Sequence, residues 1–210
     1  MIRNQLRPAI VMTFVLMVIT GLVYPGIVTG LAQILFPWRA NGSLVTVGGR
    51  AVGSSLIAQS FVGSGYFHPR PSAAGAGYDA TASGATNRGP TDRTLADSLI
   101  ARSVAEVVKE DGAIPGRIPT DMATRSASGL DPEISPANAA LQVGRVARAR
   151  EVDEAWVRAL VARHTEGRQF GFLGEPRVNV LTLNLALDRE RPAPASLNGP
   201  HSPSSGPARP

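Results

Sequence analysis

The chain has 210 residues, of which 21 are lysine or arginine and 16 are aspartate or glutamate, giving a formal net charge of +5 at pH 7. It contains no cysteine, which excludes a disulfide framework and a thiolate metal site. All acidic residues and 17 of the basic ones lie between Gln33 and Glu190, and the other four basic residues lie near the termini. This near-neutral span lacks the basic stripe typical of a nucleic-acid binder, so no nucleic-acid partner is expected.

The first element is a long apolar segment, and no charged side chain occurs between Arg7 and Arg39. A helix of about 20 apolar residues crosses a bilayer core of about 30 Å. The sequence therefore predicts a short N-terminal segment over residues 1–7 and a transmembrane helix over residues 8–31. Pro25 predicts an interruption of this helix, because proline lacks the backbone N–H that a helix interior uses.

The residues before the apolar segment predict the orientation of the chain. Arg3 and Arg7 favour a cytoplasmic N-terminus, which places everything after the helix outside the cytoplasm. The predicted location is thus the cell (inner) membrane, crossed once. The alternative is a secretory signal peptide cleaved after a small-x-small motif, Gly30-Leu31-Ala32. Both interpretations place the domain outside the cytoplasm.

The remaining residues predict one compact α+β domain over residues 32–190, followed by a disordered Pro/Ser-rich tail over residues 191–210. A long segment rich in glycine, proline and serine with interspersed aromatic residues, 61–90, predicts an ordered functional loop. The other predicted elements are, in order, strands 44–47 and 51–57 around a Gly48-Gly49 turn, a helix from Thr91 or Thr94 to Glu110, a loop 114–134, helices 136–150 and from 153 onward, and a final strand 178–187.

The sequence offers few groups for catalysis. Neither a G-x-S-x-G nucleophile motif nor a phosphate-binding Walker loop is present, and Lys109 is the only lysine. No metal site is expected. Arg145, Arg148 and Arg150 are interpreted as a solvated helix face. For Arg70 and Asp131, each in a stiff loop, the residues leave open a role in ordering the loop or in contacting a partner.

Several motifs resemble the C subunit of Kdp-type potassium-transporting P-type ATPases. The resemblance runs in order over about residues 5–190. Its motifs are Arg7-Pro8-Ala9, Thr20-Gly21-Leu22-Val23-Tyr24-Pro25, Phe36 to Ser43, Gly53 to Phe61, Tyr66 to Ala73, Ser126 to Asp131, Arg145 to Arg150, Val178 to Leu181 and Leu183 to Asp188.

The resemblance implies a non-catalytic accessory subunit of an ATP-driven, high-affinity potassium import complex. Its implied partners are a channel-like potassium-binding subunit, a P-type ATPase subunit that hydrolyses ATP, and a small membrane peptide. The family is described as needed for assembly and as raising the ATP affinity of the ATPase subunit. No cofactor is expected to bind this chain directly; ATP enters through the ATPase subunit.

The candidates for partner contact or loop ordering share a position in the family-like motifs: Gln59, Phe61, Phe67, Arg70, Ser72, Ser128, Asp131, Asn179 and Asn184. The alternative function is an anchored extracytoplasmic enzyme or small-ligand binder. It requires a pocket on which His68, Arg70 and Asp131 converge.

Overall fold

A computed structural model describes residues 2–192, and it divides the chain after Leu44 into two compact units. The first unit is mostly one long helix, made of α1 (Ile2–Val18), a π-helical turn (Ile19–Val23) and α2 (Tyr24–Leu35). Its apolar part, Asn4–Leu35, is 32 residues long. At 1.5 Å per residue this is about 48 Å, more than enough for a bilayer core. The structure thus confirms a helix long and apolar enough to cross a membrane.

The interruption expected at Pro25 takes the form of the π turn that immediately precedes it. Proline has no N–H to donate to the carbonyl one turn earlier, and its ring crowds that carbonyl. A wider turn relieves this crowding, and such turns are common where a helix ladder is broken. The hydroxyl of Thr20 donates to the Leu16 carbonyl over 2.7 Å within the same stretch.

A short helix, α3 (Pro37–Ala40), ends the first unit. The strands β1 (Leu44–Val47) and β2 (Arg50–Ser54) then form the predicted two-stranded sheet, although the second strand ends at Ser54 and not at residue 57. Gly48 and Gly49 have φ angles of +58° and +80°. A two-residue turn with positive φ at both positions matches the right-handed twist of a hairpin, and glycine adopts it without steric strain.

The second unit is built from helices packed on a small antiparallel sheet. Its helices are a π-helical turn Thr94–Ile100 continued by α4 (Ala101–Asp111), α5 (Thr120–Ala123), α6 (Pro136–Arg150), α7 (Glu154–Arg163) and α8 (Val180–Glu190). A short 3-10 turn covers Pro115–Arg117. The sheet contains β3 (Glu133–Ile134), β4 (Thr165–Glu166) and β5 (Arg177–Asn179) in the order β3-β5-β4.

The core lies between the sheet and helices α6, α7 and α8. Val178 occupies the centre of the sheet, opposite Ile134 on one side and Thr165 on the other. The fully buried apolar side chains around it include Phe67, Val143, Val146, Val157, Leu160, Leu183 and Leu187. The α+β class is therefore confirmed. Ser135 and Asp153 cap α6 and α7 through bonds from Asn138 N and Ala155 N.

The predicted final strand 178–187 is wrong beyond Asn179, because α8 occupies residues 180–190. Leucines at every second position fit a strand, but Val180, Leu183 and Leu187 also recur at helical spacing. The Asn179 side chain accepts a bond from Thr182 N and so caps the helix. Leucine and alanine, unlike β-branched residues, also favour a helix here. The predicted loop 114–134 likewise contains a 3-10 turn, α5 and β3.

Candidate functional site

The distinctive feature of the domain is a long loop that lies partly in its core. Residues 55–92, all within the described chain, form neither helix nor strand. Phe67 and Ala74 are nevertheless completely buried. A buried loop needs hydrogen-bond partners for its backbone, because an unpaired peptide group away from water is costly. The loop contains several of the predicted site residues. Which groups bind its backbone therefore determines whether those residues are free to contact a partner.

Two buried amide side chains bind two successive residues of the loop. Asn184 of α8 accepts from the Phe67 N–H over 2.8 Å and donates to its carbonyl over 2.9 Å. Gln142 of α6 does the same for His68, over 2.7 Å and 3.0 Å. Each amide thus satisfies both backbone groups of one residue, as a neighbouring strand would do. Asn184, a predicted site residue, is a loop-ordering residue in this structure.

Arg145 is a second anchor of the loop, and it is almost completely buried. Its Nη1 donates to the carbonyls of Ser64 and Tyr66, each over 2.8 Å. Its Nε donates to the carboxylate of Asp111 over 2.8 Å, and its Nη2 donates to Oε1 of Gln142 over 2.7 Å. Because all three guanidinium nitrogens are engaged, this buried charge is both paired and hydrogen-bonded.

Arg150, at the end of α6, binds the same short segment of the loop, residues 64–66. It donates to the carbonyls of Gly65 and Arg191 and to the Asp188 carboxylate. Its guanidinium also lies 4.7 Å from the centre of the Tyr66 ring, a cation–π contact. The predicted solvated arginine face is therefore wrong for Arg145 and Arg150, and only Arg148 is exposed.

Most of this network is absent from the residues predicted from the sequence. Asn138, Gln142 and Arg145 follow each other at positions i, i+4 and i+7 of α6, so they form one polar stripe on a helix that is otherwise apolar on that side. Asn138 bonds Gln142 over 2.7 Å and the carboxylate of Asp121 over 3.0 Å. The helical spacing of these three polar residues is the feature of the sequence that could have predicted the network.

The His68 side chain lies beside this network, and its environment lowers its pKa to about 4. Burial is the main cause, because it disfavours the charged imidazolium, and the charge of Arg145 acts in the same direction. Nδ1 lies 3.3 Å from the carboxylate of Glu110, which favours the charged form. Glu110 is half exposed and screened by water, so burial and the charge of Arg145 outweigh it and the pKa stays low. The neutral ring bonds the Gly63 carbonyl through Nε2, over 3.0 Å.

The second half of the loop is held through Arg70, Ser72 and Asp131. Arg70 Nη1 donates to the carboxylate of Asp131 over 2.9 Å, and the other carboxylate oxygen accepts from Glu133 N. The Ser72 hydroxyl donates to the Gly129 carbonyl over 2.6 Å and accepts from Ala74 N. All three predicted site residues thus order loops in this structure, and a role for them in partner contact stays a prediction.

Gly129 shows how tightly the two loops meet. Its φ is +69°, and a Cβ atom at this position would lie 2.6 Å from Ala74 N and 2.7 Å from the Gly84 carbonyl oxygen. Only glycine fits this backbone conformation and this spacing. The neighbouring Ser128 contributes its carbonyl to Gly84 N over 2.9 Å, while its hydroxyl accepts from Leu130 N.

The remaining predicted residues lie at the edge of the domain core. Phe61 packs against the core and lies 5.8 Å from the Tyr66 ring, centre to centre. Asn179, besides capping α8, donates to the Ser55 carbonyl over 2.8 Å. Gln59 packs against Gly53, and its Nε2 is buried without a hydrogen-bond partner among the described residues.

The pocket required by the alternative function does not form around His68, Arg70 and Asp131. His68 lines a cleft of about 430 Å³ with Glu110 and Arg145. Arg70 and Asp131 line a different cleft of about 580 Å³. Within residues 2–192 no group of histidine and acidic side chains is placed to hold a metal ion. Arg70 and Asp131 therefore pair with each other, and His68 lies apart from them in the other cleft.

The described residues, 2–192, thus define a class of protein that has one candidate membrane span and a domain whose polar residues order a long loop. The chain matches the family model described as "KdpC: K+-transporting ATPase, c chain" over residues 6–189. It therefore belongs to the KdpC family, and it is an accessory subunit of a potassium uptake complex. This confirms the resemblance in the sequence.

Three relatives illustrate the similarity, and each is described as a potassium-transporting ATPase KdpC subunit. The protein of Gemmatimonas aurantiaca is 64% identical over 186 residues, which cover 88% of this chain and 92% of the relative. That of Koribacter versatilis is 55% identical, with 91% and 98% covered. That of Rhodospirillum rubrum is 54% identical, with 90% and 97% covered.

Replacement of Arg145 by methionine should destabilise the domain strongly. The substitution leaves the carboxylate of Asp111 buried without its cation and frees two loop carbonyls. Loss of one partner of a buried ion pair costs about 3–5 kcal/mol. Denaturant unfolding of the full chain in detergent measures this cost. The double variant Arg145→Met/Asp111→Leu should recover part of it, and equal stability of wild type and Arg145→Met would contradict the assignment.

Acidification should weaken the domain through His68. Its pKa is about 4 when folded, against 6.5 for an unperturbed histidine, so between these values the unfolded chain binds a proton that the folded chain does not. The stabilisation is complete above pH 6.5 and is lost as the pH falls toward 4. The stability advantage of wild type over His68→Gln should fall by about 2 kcal/mol between pH 7 and pH 5. Parallel pH curves for the two proteins would refute the neutral buried ring.

Proposed function

We propose that this subunit catalyses no reaction itself and supports the assembly and coupling of an ATP-driven potassium import complex. The observation that carries the proposal is the use of the loop's polar and charged side chains for internal bonds. A domain built this way offers its partners a fixed surface. The family match supplies the context, because the relatives are named as subunits of a potassium-transporting ATPase.

In this proposal the domain lies outside the cytoplasm. Arg7 is the last charged residue before the uncharged part of the helix, which favours a cytoplasmic position for this end of the helix. The domain lies over the entrance of the channel-like subunit, and the helix packs on the membrane helices of that subunit. The P-type ATPase subunit, which hydrolyses ATP, and a small membrane peptide complete the complex.

An increase in the ATP affinity of the ATPase subunit is, in this arrangement, an indirect effect. The domain and the nucleotide lie on opposite sides of the membrane, so contact between them is impossible. A coupling free energy of about 1–3 kcal/mol changes an affinity 5- to 150-fold, and helix packing in the membrane can transmit it. The apolar helix is the part of this chain that reaches both sides.

The orientation can be tested with single cysteines, because the chain has none of its own. Ile114 is well exposed in the domain, and Asn4 is exposed at the start of the helix. A membrane-impermeant maleimide that passes the outer envelope of intact cells should label Ile114→Cys and spare Asn4→Cys. Permeabilisation of the inner membrane should then expose Asn4→Cys. The reverse labelling pattern would contradict the proposed orientation.

Assembly can be tested by co-expression with the genomic neighbours and purification through this chain. A channel-like subunit and a P-type ATPase should be recovered with the wild type. Arg70→Ala removes the bond to the half-buried Asp131 and should lower recovery of the complex about fivefold. This is the change expected when the free energy of binding between the subunits weakens by about 1 kcal/mol. Arg93→Ala, which changes an exposed arginine, is the matched control. Wild type that purifies alone would refute the assembly role, and unchanged recovery with Arg70→Ala would refute the role of this loop.

A further inference from the structure

One small apolar surface of the domain is exposed. Between β4 and β5 the chain makes an excursion over residues 167–176, which we call the phenylalanine hairpin. At its tip Phe170, Phe172 and Leu173 are 87%, 69% and 46% exposed. Large apolar side chains grouped at an exposed tip favour burial against another surface.

The hairpin is ordered by its own backbone. Gln169 and Leu173 exchange two backbone hydrogen bonds of 2.9 Å, and Gly171 N donates to the Arg168 carbonyl. At the base, Arg168 donates to both carboxylate oxygens of Glu175, over 2.9 Å and 2.7 Å. Because the backbone of the tip is already ordered, its docking costs less conformational freedom than docking of a disordered segment would, which favours the two phenylalanines as anchors in an interface.

The charges around the hairpin favour a protein over a lipid surface as its partner. Arg168 is paired with Glu175, and Arg177 is paired with Glu166 over 2.9 Å. These arginines are neutralised by carboxylates of the same chain, so they do not form the basic rim that draws an apolar loop to anionic lipids.

The size of the tip also limits the kind of contact. Three side chains cover far less than the roughly 800 Å² per partner of a stable interface. They fit the role of a second attachment point for a subunit that is held elsewhere, since tethering makes a weak contact effective. The family of this chain consists of subunits of a larger complex, so another subunit of that complex is a suitable partner.

We propose that the phenylalanine hairpin docks into an apolar pocket with a polar rim on another protein subunit of the potassium-transporting complex. The inference rests on the proposed role in assembly. Phe170 and Phe172 fill the pocket, and Leu173 covers its edge. Phe170 has a φ of +53°, a conformation rare for a bulky residue, which sets the direction of its Cα–Cβ bond at the tip.

Photo-crosslinking in the assembled complex tests the docking directly. The complex is first recovered with the wild-type chain, so that a failure of assembly is recognised separately. The photoreactive analogue p-benzoyl-phenylalanine is then placed at position 170 or 172, and at the exposed control position 114. Irradiation should link positions 170 and 172 to one other subunit of the complex, identified by mass spectrometry. Links to lipid alone, to a second copy of this chain, or to nothing would overturn the proposal.

A pair of variants gives an independent measure. Phe170→Ser/Phe172→Ser should lower recovery of the complex at least tenfold in stringent detergent, whereas Ile114→Ser should leave it unchanged. Because the hairpin tip is exposed, the double variant should unfold at the same denaturant concentration as the wild type. Equal recovery of the double variant and the control would overturn the docking role, as would a loss of recovery explained by a matching loss of domain stability.

Discussion

The structure of the domain depends on the hydrogen bonds that Arg145 and Arg150 donate to the backbone of residues 64–66. Both arginines come from α6, and both are buried. A loop that passes through a core cannot leave its carbonyls unpaired, and guanidinium groups offer several donors in a fixed plane. The buried charges are in turn balanced by Asp111 and Asp188. Residues 64–66 are thus held by charge-assisted hydrogen bonds from two arginines.

Further side chains hold the residues of the loop that follow this segment. The amides of Gln142 and Asn184 bind the next two residues, His68 and Phe67, and the Phe67 ring enters the core between the helices. Further on, Arg70 and Ser72 attach the chain to the second loop at Asp131 and Gly129. The long segment without helix or strand is therefore an integral part of the packing.

This use of polar residues bears directly on function. A catalytic residue needs a free proton, lone pair or charge at a cleft, whereas here the buried arginines and amides are committed to backbone groups. The environment of His68 also opposes protonation. In the proposed function, the domain offers the other subunits of the complex a defined surface. The exposed phenylalanine hairpin fits the same interpretation.

The sequence predicted the parts of this fold that local chemistry decides. The apolar helix, the Gly48-Gly49 turn and the starts of α6 and α7 each follow from residue type and spacing. From residue 180 onward the alternating leucines fit both periods, so the pattern predicts a strand, whereas the Asn179 cap and packing against the core select the helix. The disorder predicted for the tail lies, from residue 193 onward, outside the described residues.

The candidate site was predictable only in part, for a similar reason. Arg70 and Asp131 stood out as a donor and an acceptor in stiff loops, and they pair. Arg145 and Arg150 looked like surface charges, because nothing local reveals that a loop some 80 residues earlier lies against them. Contacts between distant segments are set by the global fold, and local sequence patterns do not encode them.

Amide hydrogen exchange on the full chain in detergent tests the central claim, that buried side chains hold the long loop as firmly as secondary structure. The N–H groups of Phe67, His68, Ala74 and Tyr78 each donate to a side chain. Peptides covering these residues should exchange about as slowly as those from α6, because they become exposed only when the domain opens. Exchange of the loop within seconds, while α6 stays protected, would contradict the account.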